Sequence, residues 1–303
     1  MPDLMPYKTS NSQFIKCATE TEKSEVKSWS NALTFDVEDY FQVEALRSFA
    51  PAEGWESHEL RVERNAHTLL NILDPGSVKA TFFVLGWLAE RLPQMVRAIH
   101  ERGHEIACHG YAHRMIHEQK PEEFREDVRR AKGILEDLIG EEVIGYRAPT
   151  FSITERTLWA LDILAEEGFK YDSSIFPIRH DRYGFPAWSR HIEKVELRNG
   201  GSIVEAPPLT ARVFGMNLPF AGGGYFRLAP LALTMWAIRR MNTQGQPAIL
   251  YLHPWELDPD QPRFALPPLQ RFRHYVNLSS TERKLRRLLL SGSFARLKDI
   301  LPL

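Results

Sequence analysis

In Leu33-Thr34-Phe35-Asp36-Val37-Glu38-Asp39-Tyr40, a short apolar run ends in three acids within four residues. The run has strand character and is too short for a helix. Acids crowded at the end of a buried strand repel one another, and desolvation penalises each of them. Such a cluster calls for a metal, an arginine or a catalytic use. The plainer alternative is a solvated loop in which Asp39 caps the next helix.

Outward from this stretch, short apolar strands alternate with helices. Strands are expected over 31–36, 79–84, 105–108, 143–147, 169–173, 202–206 and 248–252. Helices are expected over 61–73, 90–102, 121–139, 154–167 and 227–242, with Gly103, Gly140 and Gly168 closing three of them. Residues 175–199 read as a long surface excursion. About seven βα units argue for an α/β fold: an irregular (β/α)7-type barrel, a single catalytic domain with a C-terminal helical extension. An open doubly wound sheet is the competing architecture, but no glycine-rich phosphate loop follows the first strand. The expected organisation is a flexible N-terminal leader over 1–30, the barrel over 31–256, and an extension packed on the barrel over 257–303.

The 303 residues are 43% hydrophobic, enough for a sizeable core, and the formal charge of −1 gives no general attraction to nucleic acid. Cys17 and Cys108 form no metal-binding or disulfide framework. The polar N-terminus lacks the apolar segment of a signal peptide, and the longest apolar stretch, 80–89, is too short to span a membrane. A cytoplasmic location is the expectation. The tail is basic at Arg271, Arg273, Arg283, Lys284, Arg286 and Arg287. That reads first as a solvated helix face, with peripheral contact to a membrane surface or an anionic polymer as the sharper alternative.

Five of the seven strands end in polar residues, each following an apolar run: Asp36 with Glu38 and Asp39, then His109, Arg147, Asp172 and His253. In a parallel barrel those ends converge on one face, where active sites are built. His109 and His113 stand four apart, a spacing that one helical turn would convert into a pair of ligands for Zn²⁺ or a similar ion. The first strand supplies the acid that a three-ligand site needs. By strand alternation Asp36 and Glu38 share a face, which ranks Glu38 above Asp39 as the ligand. Arg147 is placed to hold Asp36 ionised, and the bend after Pro149 to expose the Thr150 N–H as an oxyanion donor. His253, beside a metal site, becomes a candidate proton donor. Nearby His100, His104 and His117 fit amphipathic or exposed roles. Trp188, Tyr225, Phe226 and Trp255 are candidates for stacking on sugar rings, although each alone fits ordinary packing equally well, and Gly222-Gly223-Gly224 reads as a loop lining the groove.

Together these pieces resemble the polysaccharide deacetylase family, also called the NodB homology domain or carbohydrate esterase family 4. Thr34-Phe35-Asp36 is similar to its first motif, His109-x-x-x-His113 to its second, Arg147-x-Pro149 to its third, Asp172 to the acid of its fourth and Leu250-x-x-His253 to its fifth. The sequence departs from the pattern in Asp36-Val37-Glu38-Asp39, which replaces adjacent aspartates and resembles the branch of allantoinase-like members and helical-bacterium peptidoglycan deacetylases. It departs also at Gly110, at Thr150 and in lacking the fourth motif's tryptophan. Tyr171-Asp172-Ser173-Ser174, His180-Asp181-Arg182-Tyr183-Gly184 and His253-Pro254-Trp255-Glu256 resemble deacetylases of exosortase-linked exopolysaccharide loci.

The resemblance implies a divalent metal, Zn²⁺ foremost, on His109, His113 and Glu38 or Asp39. It implies Asp36 as base, His253 as acid with Asp172 orienting its imidazole, and loss of acetate from an amino sugar. The implied partner is an N-acetylated polysaccharide or a lipid-linked oligosaccharide, with peripheral contact to a membrane surface or to polysaccharide assembly machinery. A metal-independent allantoinase-like amidohydrolase and a non-catalytic polysaccharide-binding module are the competing readings.

Overall fold

The structure, a computed structural model, describes residues 8–9 and 30–303. The expected leader therefore lies outside the described residues except for Lys8, Thr9 and Ser30.

Seven parallel strands form the frame: β1 (Ser30–Val37), β2 (Thr81–Val84), β3 (Glu105–Cys108), β4 (Gly145–Tyr146), β5 (Tyr171–Asp172), β6 (Ser202–Glu205) and β7 (Ile249–Leu252). They pair in the order β7-β1-β2-β3-β4-β5-β6. β6 and β7 do not form a ladder with each other. The chain that follows β6 spans the gap instead, with the Leu209 N–H donating to the Ile249 carbonyl (2.9 Å) and Gly222 bridging Tyr251. Alternation along β1 sorts the side chains into two cores. Leu33, Phe35 and Val37 pack outward under the helices, while Ala32 faces inward with Phe83, Ala107, Tyr171, Val204 and Ile249. Burial on both faces explains why β2 reads as a nearly all apolar run.

The helices are α1 (Val62–Leu73), α2 (Gly86–Arg91), α3 (Pro93–Glu101), α4 (Pro121–Ile139), α5 (Trp159–Glu166), α6 (Gly223–Leu228), α7 (Leu231–Asn242), α8 (Pro268–Tyr275) and α9 (Leu278–Ser291). Pro121 opens α4 and Gly140, left-handed at φ 70°, closes it where the sequence places both. Two expected helices are each broken in two. Pro93 has no N–H to continue α2, so the chain turns at Leu92 and restarts as α3. Pro230 forces Ala229 into extended backbone and separates α6 from α7.

The excursion over 175–199 is not a surface loop throughout. Ile175, Phe176 and Ile178 are buried, and Glu193–Glu196 is a strand antiparallel to β6 that also pairs with Lys8–Thr9. A hairpin, Thr210–Val213 with Met216–Pro219, and the helix α8 were not expected from the sequence. Ser293–Ala295 adds a strand parallel to β1. The short helix after it (Leu297–Ile300) then closes the barrel floor. There the Leu297 N–H donates to Thr81 Oγ1 (2.7 Å) and the Lys298 N–H to the buried Glu105 (3.1 Å). Among the described residues no helix is long and apolar enough to cross a membrane.

Candidate active site and metal centre

The opposite, C-terminal end of the barrel carries a cleft of about 800 Å³ lined by Asp36, Glu38, His109, His113, Thr150 and His253 among others. β1 delivers Asp36 inside the barrel. Arg147, buried at the end of β4, donates from Nη1 to Asp36 Oδ1 and to Thr34 Oγ1, both at 2.7 Å. Its Nε and Nη2 reach the Ser173 carbonyl (3.1 Å) and Ser173 Oγ (2.9 Å). The guanidinium carbon lies 4.2 Å above the Phe83 ring. One face of the Asp36 carboxylate is thus fixed, and Oδ2 remains toward the cleft, 3.9 Å from His253 Nε2.

Ligand-capable atoms of Glu38, His109 and His113 all lie within 4.8 Å of one another. The histidines meet through a loop, not through the helical turn that their spacing suggests. Gly110 takes φ 75°, open to glycine at no steric cost, and His113 takes φ 52°. His109 Nδ1 lies 2.8 Å from the Arg147 carbonyl, which can only accept, so Nδ1 carries the proton and Nε2 keeps its lone pair. Burial depresses the pKa of both imidazoles, His109 to about 4. Burial alone would raise Glu38, but His113, His253 and His109 overcome it and pull the carboxyl to about 2. Two neutral imidazoles and one carboxylate are the donor set of a three-ligand zinc site. Glu38 Oε2 supports the fit. It is buried without a hydrogen bond although it lies 3.2 Å from His113 Nε2, as expected of two lone-pair atoms awaiting a shared cation.

Asp39 is not part of this group. Its Oδ2 accepts the N–H groups of Arg61 (2.6 Å) and Val62 (2.9 Å), and its Oδ1 that of Tyr40 (2.8 Å). It ties down the start of α1, and the alternation that ranks Glu38 higher explains why: Asp39 points out of the barrel. Asp172 likewise stands apart from His253. Its oxygens accept the hydroxyl (2.5 Å) and N–H (3.1 Å) of Ser174, and it pairs with Glu205. Burial, then the neighbouring carboxylate, drives Glu205 well above the ordinary range.

The imidazole of His253 is held instead by Glu256, three residues on. Glu256 Oε1 meets both the His253 N–H (3.0 Å) and Nδ1 (2.8 Å). Glu256 Oε2 is paired with the buried Arg227 Nε at 2.7 Å. Pro254 opens the tight turn that brings Glu256 back. His253 Nε2 then faces Glu38 Oε1 at 3.0 Å. Burial would depress this imidazole, but Glu38 and Glu256 raise it to about 10. Trp255 stacks on His253 at 5.3 Å between ring centres, with His274 behind it at 4.6 Å. Sequence reasoning missed Glu256 and Arg227 as partners of His253. The i, i+3 spacing of His253 and Glu256 across a proline was the available signal.

Thr150 sits at the cleft edge in a left-handed conformation, φ 56° and ψ 26°. Tyr225 and Trp255 line the cleft, as do Gly223 and Gly224, whereas Phe226 belongs to the core. His104 is buried, not exposed, and its Nδ1 accepts the Ala80 N–H at 3.1 Å.

Residues 24–171 match the polysaccharide deacetylase family, and residues 173–302 match a domain of unknown function, DUF3473. Just under half of the chain is thus similar to the polysaccharide deacetylase family. A peptidoglycan-N-acetylglucosamine deacetylase of Bacillus cereus is 36% identical over 95 residues, 31% of this chain and 34% of that protein. A peptidoglycan deacetylase-like protein, FGM2, of Gibberella zeae is 34% identical over 109 residues, 35% of this chain and 31% of that protein. The matched segment thus spans about a third of each curated relative. Among solved structures, a candidate polysaccharide deacetylase from Mycobacterium smegmatis superposes with a TM-score of 0.59 at 24% identity, covering 94% of this chain and 93% of that one. Puue allantoinase superposes at 0.56 and 17% identity, covering 89% and 87%. These two likenesses show the fold alone.

Proposed function

We propose that the chain is a metal-dependent hydrolase that removes N-acetyl groups from amino sugars of a bacterial exopolysaccharide or its precursor, releasing acetate. One observation carries this reading. An arginine-anchored carboxylate, Asp36, and a carboxylate-anchored imidazole, His253, flank the Glu38–His109–His113 group in one cleft. A divalent cation held there, Zn²⁺ foremost, would polarise the acetamide carbonyl and an attacking water.

The remaining steps belong to the chain. Asp36 Oδ2 takes the proton of the attacking water while Arg147 holds Oδ1 in place. The Thr150 N–H, at the cleft edge, is offered to the developing oxyanion. His253 gives its Nε2 proton to the departing nitrogen as the C–N bond breaks, and Glu256 fixes the ring for that transfer. Water adds across the amide, yielding acetate and a free amino sugar. In this reading residues 31–256 form the catalytic barrel and residues 257–303 an extension packed upon it.

The test is acetate release from N-acetylglucosamine oligomers by wild type and by Asp36→Asn. Release that the substitution reduces at least 100-fold is expected. Its absence in metal-loaded wild type would contradict the reading. A metal-independent amidohydrolase is the second reading, favoured by the His253–Glu38 contact, which satisfies one Glu38 oxygen without a cation. The unpartnered Oε2 argues against it.

A further inference from the structure

A second concavity of about 800 Å³ lies wholly within the domain of unknown function, and Arg179 and Tyr225 line both it and the catalytic cleft. The two concavities adjoin at these two residues. Their charges differ. The cleft half sets Asp36, Glu38, Glu44 and Asp181 against Arg179, Arg182, Arg227 and Arg273, with Asp181 3.0 Å from His180 Nδ1. The second half is lined by Arg179, Arg190 and Arg212 and by no aspartate or glutamate among the described residues. Arg190 is half-buried there on neutral acceptors, Gln244 Oε1 (3.0 Å) and the Thr210 carbonyl (3.4 Å). Burial first, then Arg212 and Arg240, depresses its pKa, the sign of positive charge without a counter-ion. Trp188 lines the same groove, more than nine-tenths buried, and its indole N–H has no partner. Buried donors are normally satisfied, and unpaired guanidinium groups beside a ring suit a charged sugar.

We infer that this groove is a binding subsite for anionic groups, carboxylate or phosphate, carried by the glycan several sugars from the reacting acetamide. The inference rests on the deacetylase reading, because the groove leads from that cleft.

Calorimetric titration of the full chain with three probes tests it: a heparosan hexasaccharide, in which N-acetylglucosamine alternates with glucuronate, chitohexaose of equal length, and UDP-N-acetylglucosamine. At 50 mM NaCl either anionic probe should bind at least 10-fold more tightly than chitohexaose, heparosan marking a carboxylate and the nucleotide sugar a phosphate. At 500 mM NaCl the difference should shrink to less than 3-fold. Arg179→Gln/Arg212→Gln should abolish the preference without moving the thermal midpoint. Arg212→Gln alone, at an exposed position of its strand, should lose part of it. Equal affinities, no binding of any probe, or a preference kept by the double variant would overturn the inference. So would binding only to phosphatidylglycerol vesicles through the fully exposed hairpin residue Phe214. Acetate released from chitohexaose in parallel separates the two failures: release without charge preference removes the groove alone, and charge preference without release removes the deacetylase reading alone.

Discussion

At the scale of single residues, the site divides into atoms that would hold a cation and atoms that would move protons. Glu38→Gln removes the carboxylate grouped with both histidines and should lose bound metal, read by elemental analysis. Asp39→Ala should keep the metal but weaken folding by about 1 kcal/mol, because three backbone N–H groups lose their acceptor. His253→Ala should reduce turnover and leave metal content unchanged; metal loss in that variant would contradict its role as proton donor. Glu256→Gln should cost about 10- to 100-fold in kcat through a loosened imidazole, with KM and metal content retained. Asp36, His109, Arg147 and His253 were legible because each ends an apolar run, where burial makes a polar residue costly and hence informative. The role given to Asp172 was not recoverable that way. A strand-end carboxylate looks the same in sequence whether it faces an imidazole or, as here, Ser174 and Glu205.

At the scale of elements, the strands read well because their two-sided burial leaves nearly all apolar runs, as in Thr81–Val84. Helix breaks at Pro93 and Pro230 escaped because the apolar spacing continues across each proline. The Glu193–Glu196 strand alternates buried and exposed residues too briefly to stand out from its loop. β4 shows how closely elements are fitted. A side chain on Gly145 would lie 2.1 Å from the Tyr171 ring, whose hydroxyl donates to Glu105 on the barrel floor at 2.9 Å. Gly145→Ala should destabilise the fold by about 1–3 kcal/mol, measured by denaturant unfolding.

At the scale of the whole molecule, the barrel is closed from below by its own C-terminal segment and open above to the cleft. Stability should depend on pH through buried histidines such as His104. Burial, with Lys79 close by, depresses its pKa from 6.5 to about 4. The folded state keeps this ring neutral while the unfolded chain protonates it. Its contribution is therefore complete above about pH 6.5 and is lost as pH falls toward 4. Unfolding free energy should drop by about 1–3 kcal/mol over that window, and His104→Asn should flatten the slope. The most direct test of the account is metal content measured together with acetate release from N-acetylglucosamine oligomers, before and after a chelator. The account predicts one equivalent of a divalent metal, activity lost on its removal and activity regained when Zn²⁺ is returned. Undiminished acetate release from metal-free protein would contradict it.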